Sequence, residues 1–243
     1  MKRILPLLVS AFCLSGLAHA FELPSDSQQL IVGIAPDWNS THVTLSYYER
    51  AGGAWQQVGS SWKGRLGRNG LVWGRGLHPV PAGAKVKSEG DGRAPAGVFD
   101  LGAAWGYAPE IRRSPNLVYT QVTSRDLWYE DAQSPFYNRY RRIEHEPRTA
   151  EERAAQMKQG DHAHSLKLFI AHNAYPDIVP GAGSSIFFHI WRRGGAAATA
   201  GCTTMSEGDL QSLIAWVEPQ KRPVYVLLPA AEYERYRASW KLP

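Results

Sequence analysis

A histidine and a cysteine, His189 and Cys202, stand in one stretch, Gly183–Met205, GSSIFFHIWRRGGAAATAGCTTM. A thiol beside an imidazole that can take its proton is the minimum equipment for nucleophilic acyl transfer. The sulfur attacks a carbonyl, and one difficult substitution becomes two easier ones. A bland reading stands next to this one. A lone cysteine is ordinarily a small core hydrophobe, and a histidine on a strand is ordinarily structural. The spacing by itself leaves both open.

The elements that must position the pair are readable. Ile186–Trp191 is short, aromatic and β-branched, which predicts a strand. Alternation would put Phe187, His189 and Trp191 on one face and Ile186, Phe188 and Ile190 on the other. Arg192-Arg193-Gly194-Gly195 then makes a loop, and Gly201-Cys202-Thr203 a tight turn in which glycine lets the chain bend back towards the histidine. Arg192 and Arg193 are either solvated surface charge or groove cations. In the groove, such a cation would lower the thiol pKa or hold a substrate carboxylate.

Export would add weight to the thiol. Met1-Lys2-Arg3, the apolar Ile4–Leu17 and Ala18-His19-Ala20 have the layout of a secretory signal cleaved after Ala20. The expectation is an exported, periplasmic protein with no membrane anchor after cleavage. Cys13 would leave with the signal, so Cys202 would have no disulfide partner within the chain. The net charge of +5 becomes 5 − 2 = +3 once Lys2 and Arg3 are set aside. That is mild, and no basic run interleaved with aromatics suggests nucleic acid. Oligomeric state is not legible.

Two separated segments resemble one family. Gly-Ser-Ser-Ile-Phe-Phe-His189 followed by Gly201-Cys202 is similar to the active-site segment of the L,D-transpeptidase (YkuD-like) catalytic domain, envelope-localised branch without a binding module. Lys87–Phe99, KSEGDGRAPAGVF, resembles that family's "EGDGxTPxGxF" stretch. Departures are Ala200 where a histidine is usual, Thr203-Thr204-Met205 after the cysteine, and Ala94 for threonine. They bear on oxyanion contacts and substrate choice.

The resemblance implies a mainly β, sandwich-type domain with peripheral helices, acting on peptidoglycan stem peptides without a cofactor. Cys202 would be the nucleophile and His189 its base. Beside what the resemblance implies, candidates for oxyanion or substrate contacts are Gly201, Thr203, Arg192, Arg193 and Ser184, although turn packing explains the Thr203 and Thr204 hydroxyls equally well. The implied reaction is 3-3 cross-linking through a thioester. Hydrolysis by the same residues, including release of wall-linked lipoprotein, is an alternative, and a non-catalytic binding module that kept the fold is another.

Elsewhere the pattern predicts strands at Gln28–Ile34, His42–Tyr48, Trp55–Val58, Gly97–Leu101, Leu166–Ala171 and Pro223–Leu228. Thr149-Ala150-Glu151-Glu152 reads as a capping box opening a surface helix that Gly160 would end. Ser206 caps a second helix with Leu210, Leu213, Ile214 and Val217 on one face, and Ala231–Trp240 is a third. The aromatic segment between Trp105 and Arg142 either walls the groove or is a loop pinned to the surface. His162, His164 and His172 match no common zinc spacing, so no metal is expected. His172 could be a polar partner behind the site. No composition break divides 21–243, so one domain is expected there.

Overall fold

A computed structural model describes residues 21–243; the signal segment expected over 1–20 lies outside them. Twelve strands occur in chain order: β1 (Gln29–Ala35), β2 (His42–Ala51), β3 (Ala54–Arg65), β4 (Leu71–Trp73), β5 (Ala94–Gly106) and β6 (Tyr119–Gln121). There follow β7 (Asp126–Trp128), β8 (Tyr140–Arg142), β9 (Leu166–Ile170), β10 (Phe187–Ile190), β11 (Thr203–Met205) and β12 (Val224–Pro229). Helices are α1 (Ala150–Ala154), α2 (Glu207–Trp216) and α3 (Ala230–Tyr236). Among the described residues no helix is long and apolar enough to cross a membrane.

The main sheet runs β12-β1-β2-β3-β11-β10-β9-β5-β4. The first half of β5 (Gly97–Asp100) pairs with β12 and the second half (Leu101–Gly106) with β9, with an irregularity between Leu101 and Ala104. One strand thus passes from one layer to the other, the way a sandwich turns its corner. The layers enclose one apolar core, with Phe99, Phe188, Tyr225, Leu30 and Leu168 fully buried. The β2–β3 hairpin is closed by Gly52 and Gly53 at φ 58° and 85°, between the paired Ala51 and Ala54. A two-residue turn matching the strand twist needs positive φ at both positions, which glycine adopts without strain.

The alternation expected of the histidine strand is present. Ile186, Phe188 and Ile190 point into the main core, while Phe187 joins a second cluster with Trp105, Val122, Trp128 and Met157. A one-residue slip would turn three core side chains towards a polar cavity, at about 1.5–3 kcal/mol each. That penalty holds His189 on the cavity side.

One expected boundary is wrong. The capping box forms, with Thr149 accepting from the Glu152 N–H and Glu152 from the Thr149 N–H, but α1 ends at Ala154, well short of Gly160. The helix buries none of its residues. The chain is instead captured by β7: the Trp128 N–H donates to Ala155 O (2.7 Å) and the Met157 N–H to Asp126 O (2.9 Å). This buries Ala155 and Met157, which a continued surface helix would expose.

Candidate active site

Three adjacent strands place one row of polar side chains on the cavity side. In register, Lys167 of β9 faces His189 of β10, and His189 faces Thr204 of β11. All three line a cavity of about 520 Å³ together with Cys202, and all three are buried. Cys202 stands one residue before β11, level with Phe187, on the same face as Thr204 and one diagonal step from His189. Diagonal neighbours on one face lie about 7–8 Å apart, within reach of a ring.

Cys202 is half-buried. Its thiol donates to the Ser185 carbonyl (Sγ···O 3.4 Å), and the Phe187 N–H points at the sulfur. Burial pushes the thiol pKa up. The Phe187 N–H and the Lys167 and Lys87 cations work against this, and the Glu130 carboxylate adds to it. His189 donates its Nδ1–H to Ile190 O (2.9 Å), because a carbonyl can only accept. That bond selects the tautomer and leaves Nε2 as the basic nitrogen. Burial lowers the imidazole pKa to about 3, helped by His164, Lys167 and Arg192. Burial thus favours the uncharged form of both the thiol and the imidazole.

The carbonyl that receives the thiol is held from behind. Ser185 sits at φ 57°, a left-handed conformation that a non-glycine residue keeps only when its surroundings impose it. Its N–H donates to Asn138 Oδ1 (3.0 Å), which also accepts from Trp128 Nε1 (3.0 Å). The neighbouring Gly183 N–H donates to the Tyr137 hydroxyl (3.1 Å), which in turn donates to Glu89. His172, wholly buried, donates Nε2–H to Ala182 O (3.0 Å) and accepts the Arg75 N–H on Nδ1 (3.1 Å). A side chain at Gly183 would press on Lys87 and His172 at 2.8–3.0 Å, so only glycine lets the turn settle this close. Within the aromatic segment, Glu130 lines the cavity, and Tyr137 and Asn138, the latter braced by Trp128, hold the turn beneath Cys202.

The upstream Lys87–Arg93 segment reaches the same place. Lys87 Nζ donates to Asp91 Oδ1 and to Arg93 O, each at 2.8 Å, and Glu89 Oε2 accepts from Ser184 Oγ at 2.8 Å. Burial alone would raise the Asp91 pKa, but the Lys87 ammonium and the N–H groups of Arg93 and Ser88 hold it below the usual range.

The remaining expectations divide. Ser184 lines the cavity, though its hydroxyl is committed to Glu89. Gly201 lines it too, but its N–H donates to Thr199 Oγ1 (3.0 Å) and is not free to meet an oxyanion. The Thr203 side chain faces away: its hydroxyl lies 3.2 Å from Tyr225 Oη in the core, because the odd and even positions of β11 alternate. Thr204 takes the cavity position, with a buried hydroxyl that has no partner among the described residues. Arg192 lines the cavity and is tied to Asp161 Oδ2 at 2.5 Å. Arg193 is exposed and does not line it. The cations that work against the rise in the thiol pKa are Lys167 and Lys87, while the two arginines lie beyond the end of β10.

The three histidines separate: His162 pairs with Glu207, His164 stacks on His189 (4.7 Å) and His172 lies behind the turn. Among the described residues no cluster of three or more metal-ligating side chains occurs. Lys167, Lys87, Glu89 and Glu130 are site residues the sequence reading did not single out. Lys167 was readable as the one charged residue inside an otherwise apolar strand.

The model of the YkuD family, the L,D-transpeptidase catalytic domain, matches residues 40–226. The chain belongs to this family. The match spans both the upstream Lys87–Arg93 segment and the His189–Cys202 segment, and covers the strands from β2 into β12. No curated protein matches the chain. Among solved structures, the helical cell shape determining protein Pgp2 from Campylobacter jejuni is similar at 13% identity and a TM-score of 0.39. That similarity covers 84% of this chain and 51% of Pgp2, so the present L,D-transpeptidase-family chain spans about half the length of that protein.

Proposed function

We propose that this protein is an exported cysteine acyltransferase that cross-links peptidoglycan stem peptides through a Cys202 thioester. The observation that carries the reading is the pairing of Cys202 and His189 on one cavity wall, with His189 Nδ1–H spent on Ile190 O and Nε2 left as the base. Family membership supplies peptidoglycan as the substrate class. Export rests on the signal-like first twenty residues, and a single catalytic unit on the absence of any composition break across 21–243.

His189 Nε2 takes the thiol proton as Cys202 Sγ bonds to the carbonyl carbon of the donor peptide. The C–N bond then breaks, and the amine leaves with that proton. An acceptor amine attacks the thioester, gives its proton to His189 and becomes the new amide, while sulfur departs as thiolate and recovers the proton. A free thiol of pKa about 8.5 is only a few per cent ionised at neutral pH, so proton transfer must accompany attack. With the Gly201 N–H committed to Thr199, the oxyanion must draw its donors from other groups of the cavity.

Incubating purified stem-peptide substrates with the protein and resolving products by mass tests this reading. Cross-linked dimers that vanish with Cys202→Ala support it. Trimmed monomers alone would identify a hydrolase, and substrate left unchanged by the wild-type protein would leave a binding module.

A further inference from the structure

The negative charge that grows on sulfur, and then on the carbonyl oxygen, has few groups to meet it. His189 is poorly placed to keep a positive charge: its Nδ1–H rests on a neutral carbonyl, not on a carboxylate, and His164, Lys167 and Arg192 face it. A buried cation without a compensating acid is costly. Of the other cavity cations, Lys87 is bonded to Asp91 and Arg93 O, Arg192 is tied to Asp161, and Arg68 is exposed, where solvent screens it.

Lys167 differs from all of these. It is 3% exposed, stands directly opposite His189 in the β9–β10 ladder and lines the cavity. Its ammonium has three donors. Among the described residues it uses one, on Met157 O (3.1 Å), and no carboxylate lies within ion-pair distance of it. The ammonium sits 5.6 Å from the centre of the Phe187 ring, in the cluster against which Cys202 packs.

We propose that Lys167 is the charge partner of Cys202, a positioning residue whose ammonium offsets the charge developing on the sulfur and the oxyanion. This rests on the reading of Cys202 as nucleophile, but its test does not require a peptidoglycan substrate. The groups facing Lys167 are Cys202, Glu130, Asp161, His164 and His189. Burial lowers its pKa to about 8, with the Cys202, Glu130 and Asp161 anions opposing. The charge is therefore present at neutral pH and is lost as pH rises past 8.

The test is the pH–rate profile of Cys202 alkylation by iodoacetamide, read on the Cys202 peptide by mass. Lys167→Met, matched in length and uncharged, is expected to slow alkylation at pH 7 about tenfold, the equivalent of one pKa unit. Lys167→Arg should restore most of the rate, which a lost packing contact would not explain. A folded Lys167→Met protein with the wild-type profile overturns the proposal. Should that variant not fold, Lys167→Gln takes its place: slowed alkylation at pH 7 supports the proposal, and a folded protein with the wild-type profile overturns it. Absence of cross-linking alongside the expected alkylation shifts would count against the acyltransferase reading alone.

Discussion

Ser185 accepts the Cys202 thiol on its carbonyl oxygen at 3.4 Å while its own N–H is held by Asn138 Oδ1 at 3.0 Å. Cys202 is thereby connected to the aromatic segment through one residue in a left-handed conformation. Asn138 itself sits at φ 53° and donates Nδ2 to His172 O (3.2 Å) and Asn173 O (2.7 Å).

Asn138→Ala is expected to destabilise the protein and to misplace the thiol. It leaves the buried Trp128 indole N–H and the Ser185 N–H without their acceptor, at about 1–3 kcal/mol for each group left unsatisfied. Alanine at positive φ adds about 1 kcal/mol of strain. Urea unfolding should show the loss, and Cys202 alkylation in the folded fraction should change. An alkylation rate equal to wild type would mean that Ser185 does not depend on this brace.

Cys202→Ala should abolish acyl transfer while leaving the fold intact, since the side chain is small and half-buried and the thiol's bond to the Ser185 carbonyl is a weak one. His189→Ala should lose activity almost as fully, because residues acting as one unit are not additive. A carbapenem should acylate the wild-type thiol once, visible as one adduct in intact mass and missing in Cys202→Ala. An unmodified wild-type mass in large drug excess counts against an activated nucleophile.

Acid should destabilise the fold well above the carboxylate range. Burial lowers His78 to about 4 and His172 and His189 to about 3. The unfolded value is about 6.5, so the unfolded chain binds more protons below it. The stability these histidines contribute is complete above pH 6.5 and is lost as pH falls towards their folded values. Each loses at most about 1.4 kcal/mol per pH unit. Glu130 and Asp100, raised by burial, work in the opposite direction. Urea midpoints from pH 7 to pH 5 should fall, and His172→Asn, which can keep one donor and one acceptor, should flatten the slope. An equal slope in that variant would remove His172 from the account.

The two loop arginines should separate. Arg192→Ala removes a cavity cation and its bond to Asp161, beside the His164 ring that stacks on His189. A raised KM for stem peptide is expected, with little change in thiol alkylation. Arg193→Ala, exposed and off the cavity, should match wild type within error. Wild-type kinetics in both variants would show that neither contacts substrate.

What the sequence determined by itself was local. Alternation through Ile186–Trp191 put Phe188 and Ile190 into the core and His189 opposite them, because a strand has only two faces and one had to be buried. Gly52-Gly53 wrote its own hairpin turn, and Thr149 with Glu152 its own helix start, since turn and cap bonds span only three or four residues. The family resemblance rested on two such local segments. Tertiary structure decided which backbone groups remained free: Gly201 lost its N–H to Thr199, Thr203 turned towards Tyr225, and α1 stopped where β7 captured Ala155 and Met157. It also assembled the electrostatics. Lys167, Glu130 and Lys87 come from separate stretches, and their effect on Cys202 depends on burial and on which charges face one another across the cavity. Strand register places Lys167, and loops folded over the sheet place Lys87 and Glu130, neither of which a local pattern encodes.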